Sequence, residues 1–129
     1  HRALVEACER TGTEVLLVCP EVFGGLPTPR KPSEIVNGEV CTCEGVSVDL
    51  EFRLGAQRAL DMCEQAGGSE EIAACILQDR SPSCGAGRIY DGTFSGTLTA
   101  GNGVFVDLLL RHGYRVIPAS EFDSSMLRQ

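Results

Sequence analysis

Three short aliphatic runs most narrow what this chain can fold into. Glu14-Val15-Leu16-Leu17-Val18, Ile72-Ala73-Ala74-Cys75-Ile76-Leu77 and Arg115-Val116-Ile117-Pro118 are apolar at successive positions, the pattern of strands buried on both faces of a parallel sheet. Stretches with helical spacing stand around them. Residues 2–11 carry Ala3, Leu4, Ala7 and Cys8, with Gly12 as a stop. Residues 48–66 carry Leu50, Leu54, Leu60, Met62, Cys63 and Ala66, with Ser47 or Asp49 as cap and Gly67-Gly68 beyond. Residues 101–113 carry Val104, Phe105, Leu108, Leu109 and His112 between Gly103 and Gly113. Helix and strand in alternation predict an α/β class, a compact three-layer Rossmann-like domain with a parallel sheet. An initial helix in that architecture follows a strand, so a further N-terminal strand with its own loop is expected before His1. Residues 1–129 are expected to form one domain, since the length supports one core of ordinary size and not two.

Composition removes several classes of function. A net charge of −7 cannot neutralise a row of phosphates, which argues against nucleic-acid binding and leaves small neutral substrates. Mean hydropathy is near zero, and no apolar run approaches the roughly 18 to 20 residues that span a bilayer, so no membrane partner is expected. Seven cysteines, an odd number and without a secretory signal, point to a reduced, cytoplasmic setting. There cysteines serve as metal ligands, reactive thiols or small core residues, and Cys8, Cys63 and Cys75 fall on apolar faces that suit the last of these.

Two cysteines are placed differently. Cys19 follows the first aliphatic run and opens Cys19-Pro20-Glu21-Val22-Phe23-Gly24-Gly25-Leu26-Pro27-Thr28-Pro29-Arg30; Cys84 follows the second, inside Ser81-Pro82-Ser83-Cys84-Gly85. The stretch from Pro20 to Gly38, rich in proline and glycine, predicts a long irregular segment, and Ser81 to Gly96 predicts a loop whose glycines and hydroxyls suit a bound atom. In parallel α/β sheets ligands collect beyond the C-terminal ends of the strands, which brings Cys19 and Cys84 to one crevice. Glu21 is the acidic candidate there, and Ser81 and Ser83 are the hydroxyl candidates. Arg30 and Lys31 suit either an anion or carboxylate, or a solvated basic pair. Cys41-Thr42-Cys43 is either a metal-ligating pair or a short extended hairpin with Val40 and Val46; the absence of a second pair favours the hairpin. The N-terminal N–H groups of the helix after Gly101 are free to face a ligand, and His112 in its last turn suits the helix dipole better than catalysis. Thiolates on separate loops, without histidine partners, suit an iron–sulfur cluster or another soft metal.

These segments, with Ile89-Tyr90-Asp91-Gly92-Thr93-Phe94-Ser95-Gly96, resemble the hallmark motifs of the bacterial domain-of-unknown-function family that includes the 2-thiouracil desulfidases. The similarity runs from about Leu4 to Ile117. The resemblance implies an α/β domain holding a 4Fe-4S cluster on three cysteines, with Cys19 and Cys84 as the second and third ligands. The family's first cysteine motif, a strand and a Ser-Ala-Cys-like turn, does not appear here, and Cys8, Cys41 and Cys43 do not match it. The implied reaction is non-redox: water replaces the sulfur of a thiolated nucleobase such as 2-thiouracil and sulfide leaves. Glu21 and Ser81 are the candidate catalytic residues, and Ser83, Gly24 and Gly25 the candidate substrate contacts. Two alternatives remain at this point. One is a non-catalytic domain whose cysteines bind a metal or carry sulfur. The other, thiol–disulfide exchange, is weaker, because no Cys-x-x-Cys pair opens a helix.

Overall fold

The structure, a computed structural model, describes residues 2–127. In chain order it contains α1 (Arg2–Arg10), α2 (Pro20–Phe23), β1 (Ser33–Val36), β2 (Glu39–Thr42), α3 (Asp49–Gln65), α4 (Gly68–Glu71), β3 (Cys75–Leu77), β4 (Arg88–Tyr90), β5 (Leu98–Ala100), α5 (Val104–Arg111) and β6 (Val116–Pro118), followed by 3₁₀ turns at Ala119–Glu121 and Ser124–Leu127. The α/β class and the parallel pairing expected from the aliphatic runs are both present. β3 and β6 run parallel, with Cys75 opposite Val116 and Leu77 opposite Pro118. Among the described residues that parallel sheet is two strands wide.

The helices cover this pair because their apolar faces have nowhere else to go. Ala56, Ala59, Leu60 and Cys63 of α3 meet Phe105, Val106 and Leu109 of α5, with Leu77 and Tyr114 completing a core shielded from water. A second cluster of Val40, Val48 and Phe52 lies beneath the β1–β2 hairpin. No helix among the described residues is long and apolar enough to cross a membrane.

Several expectations are corrected. Glu14–Val18 has no regular secondary structure and pairs with no strand among the described residues, and Leu17 is 72% exposed. Its composition is that of a strand, but strand structure requires a partner for its backbone groups. Pro20–Gly38 is not irregular throughout. Proline at the first helical position starts α2, where its missing N–H costs nothing, and Ser33–Val36 forms β1. β1 turns through Asn37 (φ 52°) and Gly38 (φ 81°) into β2, the positive-φ pair that matches hairpin twist. Cys41 and Cys43 thus belong to a hairpin and its following turn, as favoured: β2 pairs with Ser33–Val36 on one side, and on the other Cys41 bridges antiparallel to Ser47 while Thr42 N–H donates to the Val46 carbonyl at 2.8 Å. The buried face of α3 also differs. Leu50 is 77% exposed and Leu54 and Ala66 are exposed, while Phe52, Gly55, Ala56 and Ala59 face inward. Val48 takes the N-cap position of α3 without a side-chain cap, rather than Ser47 or Asp49. The supposed loop from Ser81 to Gly96 contains β4, which pairs antiparallel with β5.

The inward face of α3 carries small residues because α2 lies directly on it. A Cβ added at Gly55 would sit 2.8 Å from the Gly24 nitrogen, and one at Gly24 would sit 2.8 Å from the Glu51 carbonyl carbon. These two glycines let the helix backbones touch, which seats α2, and Cys19 at its N-cap, against the core.

Candidate functional site

The Cys84 loop is built from its own backbone outward. Ser81 Oγ accepts the Cys84 N–H at 2.7 Å, and the Ser81 carbonyl accepts the Gly85 N–H at 3.0 Å, closing a tight turn. A Cβ at Gly85 would lie 2.8 Å from the Ser81 carbonyl oxygen, so only glycine fits that turn. The loop then caps α5. Val104 N–H donates to the Pro82 carbonyl at 2.7 Å, Phe105 N–H to the Ser83 carbonyl at 2.9 Å, and Gly103 N–H to the Gly85 carbonyl at 2.8 Å. The N-terminal N–H groups of α5, expected to face a ligand, are therefore spent on fixing the cysteine loop. Gly103 permits this, since a Cβ there would collide with the Ser83 carbonyl group.

The two cysteine loops come together at a cleft lined by Glu21 from the first and Pro82 from the second. Burial pushes the Cys84 thiol up to about 11; Ser83 and Ser81 hydrogen bonds oppose the rise, and the charges of Glu21 and Cys19 add to it. Cys19 is exposed and Cys84 half-buried. Ser83 is 1% exposed, and its Oγ accepts from the Cys84 thiol at 3.7 Å, so it lies behind the sulfur. Ser81 uses its oxygen on the Cys84 N–H, which leaves its own proton to donate. Of the two candidate glycines, Gly24 has its open side filled by α3, and Gly25 (φ 89°) faces open space.

Arg30 completes one wall. Its Nε donates to Glu21 Oε2 at 2.5 Å, and its Nη1 donates to the Pro27 carbonyl at 3.1 Å and to Thr28 Oγ1 at 3.2 Å. The Pro27-Thr28-Pro29 segment, with a cis Thr28–Pro29 peptide, is thus a perch for the guanidinium. Of the two readings of Arg30-Lys31, carboxylate binding holds for both. Lys31 pairs with Glu44 at the surface, and Arg30 holds Glu21. Glu21 and Arg30 line a cleft of about 200 Å³ with Phe52 and with Pro82 from the cysteine loop. Phe52 and Pro82 were missed from the sequence, where nothing separates a site-lining apolar residue from a core one.

The remaining cysteines lie elsewhere. Cys8 and Cys63 are buried. Burial pushes the Cys75 thiol up to about 12, with Cys63 adding to the shift, so both are apolar packing groups. His112 closes α5, its Nδ1 2.9 Å from the Leu108 carbonyl, in keeping with a helix-end role. Among the described residues no group of three His, Cys, Asp or Glu side chains is placed to hold a metal ion. Cys19 and Cys84 supply two thiolates of the type that iron–sulfur clusters take.

Known proteins place this arrangement in context. A Bacillus subtilis (strain 168) protein, described as uncharacterized protein YbbK, is 38% identical, with the match covering 85% of this chain and 77% of that protein. The solved structure of the 4Fe-4S-dependent thiouracil desulfidase TudS superposes with a TM-score of 0.82 at 43% identity, over 92% of this chain and 76% of that one. The family model described as 2-thiouracil desulfurase matches residues 1–121, almost the whole chain that carries the two cysteine loops, and the chain belongs to that family.

Proposed function

We propose that this protein is a desulfidase that removes sulfur from a thiolated nucleobase such as 2-thiouracil by non-redox C–S hydrolysis, in a cytoplasmic setting that keeps its seven free thiols reduced. The reaction balances without an oxidant. Water adds at the thiocarbonyl carbon, the C–S bond breaks, and the products are the oxo base and hydrogen sulfide. The observation that carries the reading is that the Glu21 segment just after Cys19 and the Pro82 segment just before Cys84 line one cleft in a chain of this family.

Cys19 and Cys84 would hold a 4Fe-4S cluster at two corners. Such a cluster, with an open iron, supplies a sulfur-seeking Lewis acid. The described residues do not complete a ligand set, so the steps below concern only side chains that are present. Glu21 holds and moves the proton. Its Oε2 is fixed by Arg30, and its Oε1 accepts a proton from the attacking water or returns one to the ring nitrogen. Ser81 donates its hydroxyl proton to the substrate while its oxygen stays on the Cys84 amide. Ser83 sets the direction of the Cys84 sulfur from behind. Gly25 leaves room for the substrate's approach, and Gly24 contributes by letting α2 sit low enough to aim Glu21.

Anaerobic reconstitution of the protein with iron and sulfide, followed by incubation with 2-thiouracil, tests the reading. Cluster absorbance with equimolar uracil and sulfide is expected. A loaded cluster without product at any enzyme concentration would leave a non-catalytic metal- or sulfur-binding domain, and neither cluster nor product would reject the desulfidase.

A further inference from the structure

We propose that the Glu21–Arg30 pair is a recognition clamp for the lactam edge of a free nucleobase, an N–H beside a C=O, with Arg30 as its specificity residue. This rests on the desulfidase reading for the identity of the base. The argument starts from which hydrogen-bonding groups are already used. Glu21 gives Oε2 to Arg30 Nε, and Arg30 gives Nη1 to Pro27 and Thr28. Glu21 Oε1 and Arg30 Nη2 take no hydrogen bond among the described residues. One acceptor and one donor therefore stay open on an ion pair that lines the cleft and whose partners are a fifth to a quarter exposed.

Their order selects the ligand. A carboxylate oxygen accepts from a ring N–H and never donates when ionised; a guanidinium donates to a carbonyl and never accepts. The complement is an N–H next to a C=O. 2-Thiouracil presents that edge, and its thiocarbonyl carbon is bonded to the other side of the same nitrogen, so gripping the edge fixes the direction of the sulfur. Cytosine-type edges present a bare ring nitrogen to the carboxylate and an amino group to the guanidinium, which leaves both protein groups facing like partners. Size agrees with a base rather than a nucleoside. The cleft of about 200 Å³ is smaller than the roughly 300–1,000 Å³ of sites for drug-sized ligands. Phe52 and Pro82, both buried, close the floor of the cleft.

The test is anaerobic calorimetric titration of the cluster-loaded protein with 1-methyluracil, 1-methylcytosine and 1,3-dimethyluracil, which needs no turnover. The methyl at N1 removes the N1–H beside C2=O that free cytosine and uracil share, so that 1-methyluracil keeps N3–H beside C4=O, 1-methylcytosine reverses that edge and 1,3-dimethyluracil has no ring N–H. 1-Methyluracil is expected to bind about 10- to 100-fold more tightly than either, the range for hydrogen bonds to charged groups. Arg30→Gln should abolish most of the preference for 1-methyluracil over 1-methylcytosine, and Arg30→Lys, which keeps a donor, should restore part of it. Equal binding of the three bases, no binding of any, or an undiminished 1-methyluracil preference in a folded Arg30→Gln overturns the clamp. The wild-type comparison decides the matter even where a variant fails to fold. Sulfide release from 2-thiouracil, measured on the same preparation, separates the two readings. Base discrimination without sulfide keeps the clamp and sinks the desulfidase, and sulfide without discrimination does the reverse.

Discussion

Gly55→Ala should destabilise this protein, although the same change in an unpacked helix would stabilise it. Gly55 lies in the middle of α3, where replacing glycine by alanine gains about 1 kcal/mol of helix propensity. Against this stands the touch of α2. The new methyl carbon would collide with the Pro20 carbonyl oxygen and lie 2.8 Å from the Gly24 nitrogen, where ordinary contact begins near 3.4 Å. Both are backbone atoms, so no side chain can rotate away. The Pro20 carbonyl also accepts the Gly24 N–H that closes α2, at 3.0 Å, so moving it strains that hydrogen bond. Overpacking of this kind costs about 1–3 kcal/mol, and losing the hydrogen bond adds about 1 kcal/mol. Less the propensity gain, the net loss is about 1–3 kcal/mol. Urea unfolding of the metal-free chain reads it as a lower midpoint at unchanged slope. Leu50→Ala, on the exposed side of the same helix, is the control and should move stability by no more than about 0.5 kcal/mol. A Gly55→Ala midpoint at or above wild type would refute the close approach of α2 and α3, and with it the seating of Cys19 and Glu21.

Other outcomes follow from single contacts. Glu34→Ala removes the buried carboxylate that accepts the Gly92 and Phe94 N–H groups at 2.9 and 3.1 Å; hydrogen exchange at those two amides should accelerate and stability fall by about 1–3 kcal/mol, whereas unchanged protection would show that the loop holds itself. Iodoacetamide at pH 8 should label the exposed Cys19 and Cys43 first and Cys8, Cys63 and Cys75 only on unfolding, as mapped by peptide mass. Burial pushes Cys75 up to about 12, and burial with the Glu64 charge pushes Tyr114 up to about 12, both above their unfolded values near 9 and 10. The unfolded chain therefore sheds these protons first as pH rises. Stability should be full below about pH 9 and decline from there toward pH 12, and Cys75→Ala should flatten the urea-midpoint slope over that window.

What could be read from the sequence divides along the range of the interactions. α1, α3, α5 and β6 carry their own signals: apolar spacing, glycine stops and an aliphatic run. The α/β class follows from their order. The misread pieces depend on partners remote in sequence. Leu50 and Leu54 look like the buried stripe of α3, but the face is decided by α2, whose approach selects Gly55, Ala56 and Ala59 instead. Val15–Val18 has strand composition but no strand to pair with among the described residues, because pairing is a property of two segments. β4 and β5 are three residues each and lie in a stretch whose glycines and hydroxyls signal turn more strongly than Ile89-Tyr90 signals strand. For the candidate site, Cys19, Glu21, Ser81 and Cys84 stand out in the sequence because each sits just beyond an aliphatic run. Arg30 was legible only as a choice, since the spacing to Glu21 gives no hint that the Pro27–Pro29 bend folds the guanidinium back.

The two sulfur positions are braced by unlike means, and this bears on how the site fills. Cys84 is fixed by hydrogen bonds, since its amide is held by Ser81 and its loop carbonyls are bound by the first N–H groups of α5. Cys19 is fixed by contact, at the head of a four-residue helix that rests on α3 through two glycines. Neither brace uses the thiol itself, and the Cys84 sulfur has only its long 3.7 Å hydrogen bond to Ser83 Oγ to give up on ligation. A site formed in advance does not have to order its loops at the moment of binding, and that entropy is not subtracted from affinity. What remains to be overcome is the proton on Cys84, since burial holds that thiol protonated at neutral pH and a soft metal binds the thiolate. Loading at this position must therefore release a proton and should strengthen as pH rises. Cluster occupancy after reconstitution at pH 7, 8 and 9 checks this, and occupancy that falls over the same range would show that some other group limits loading.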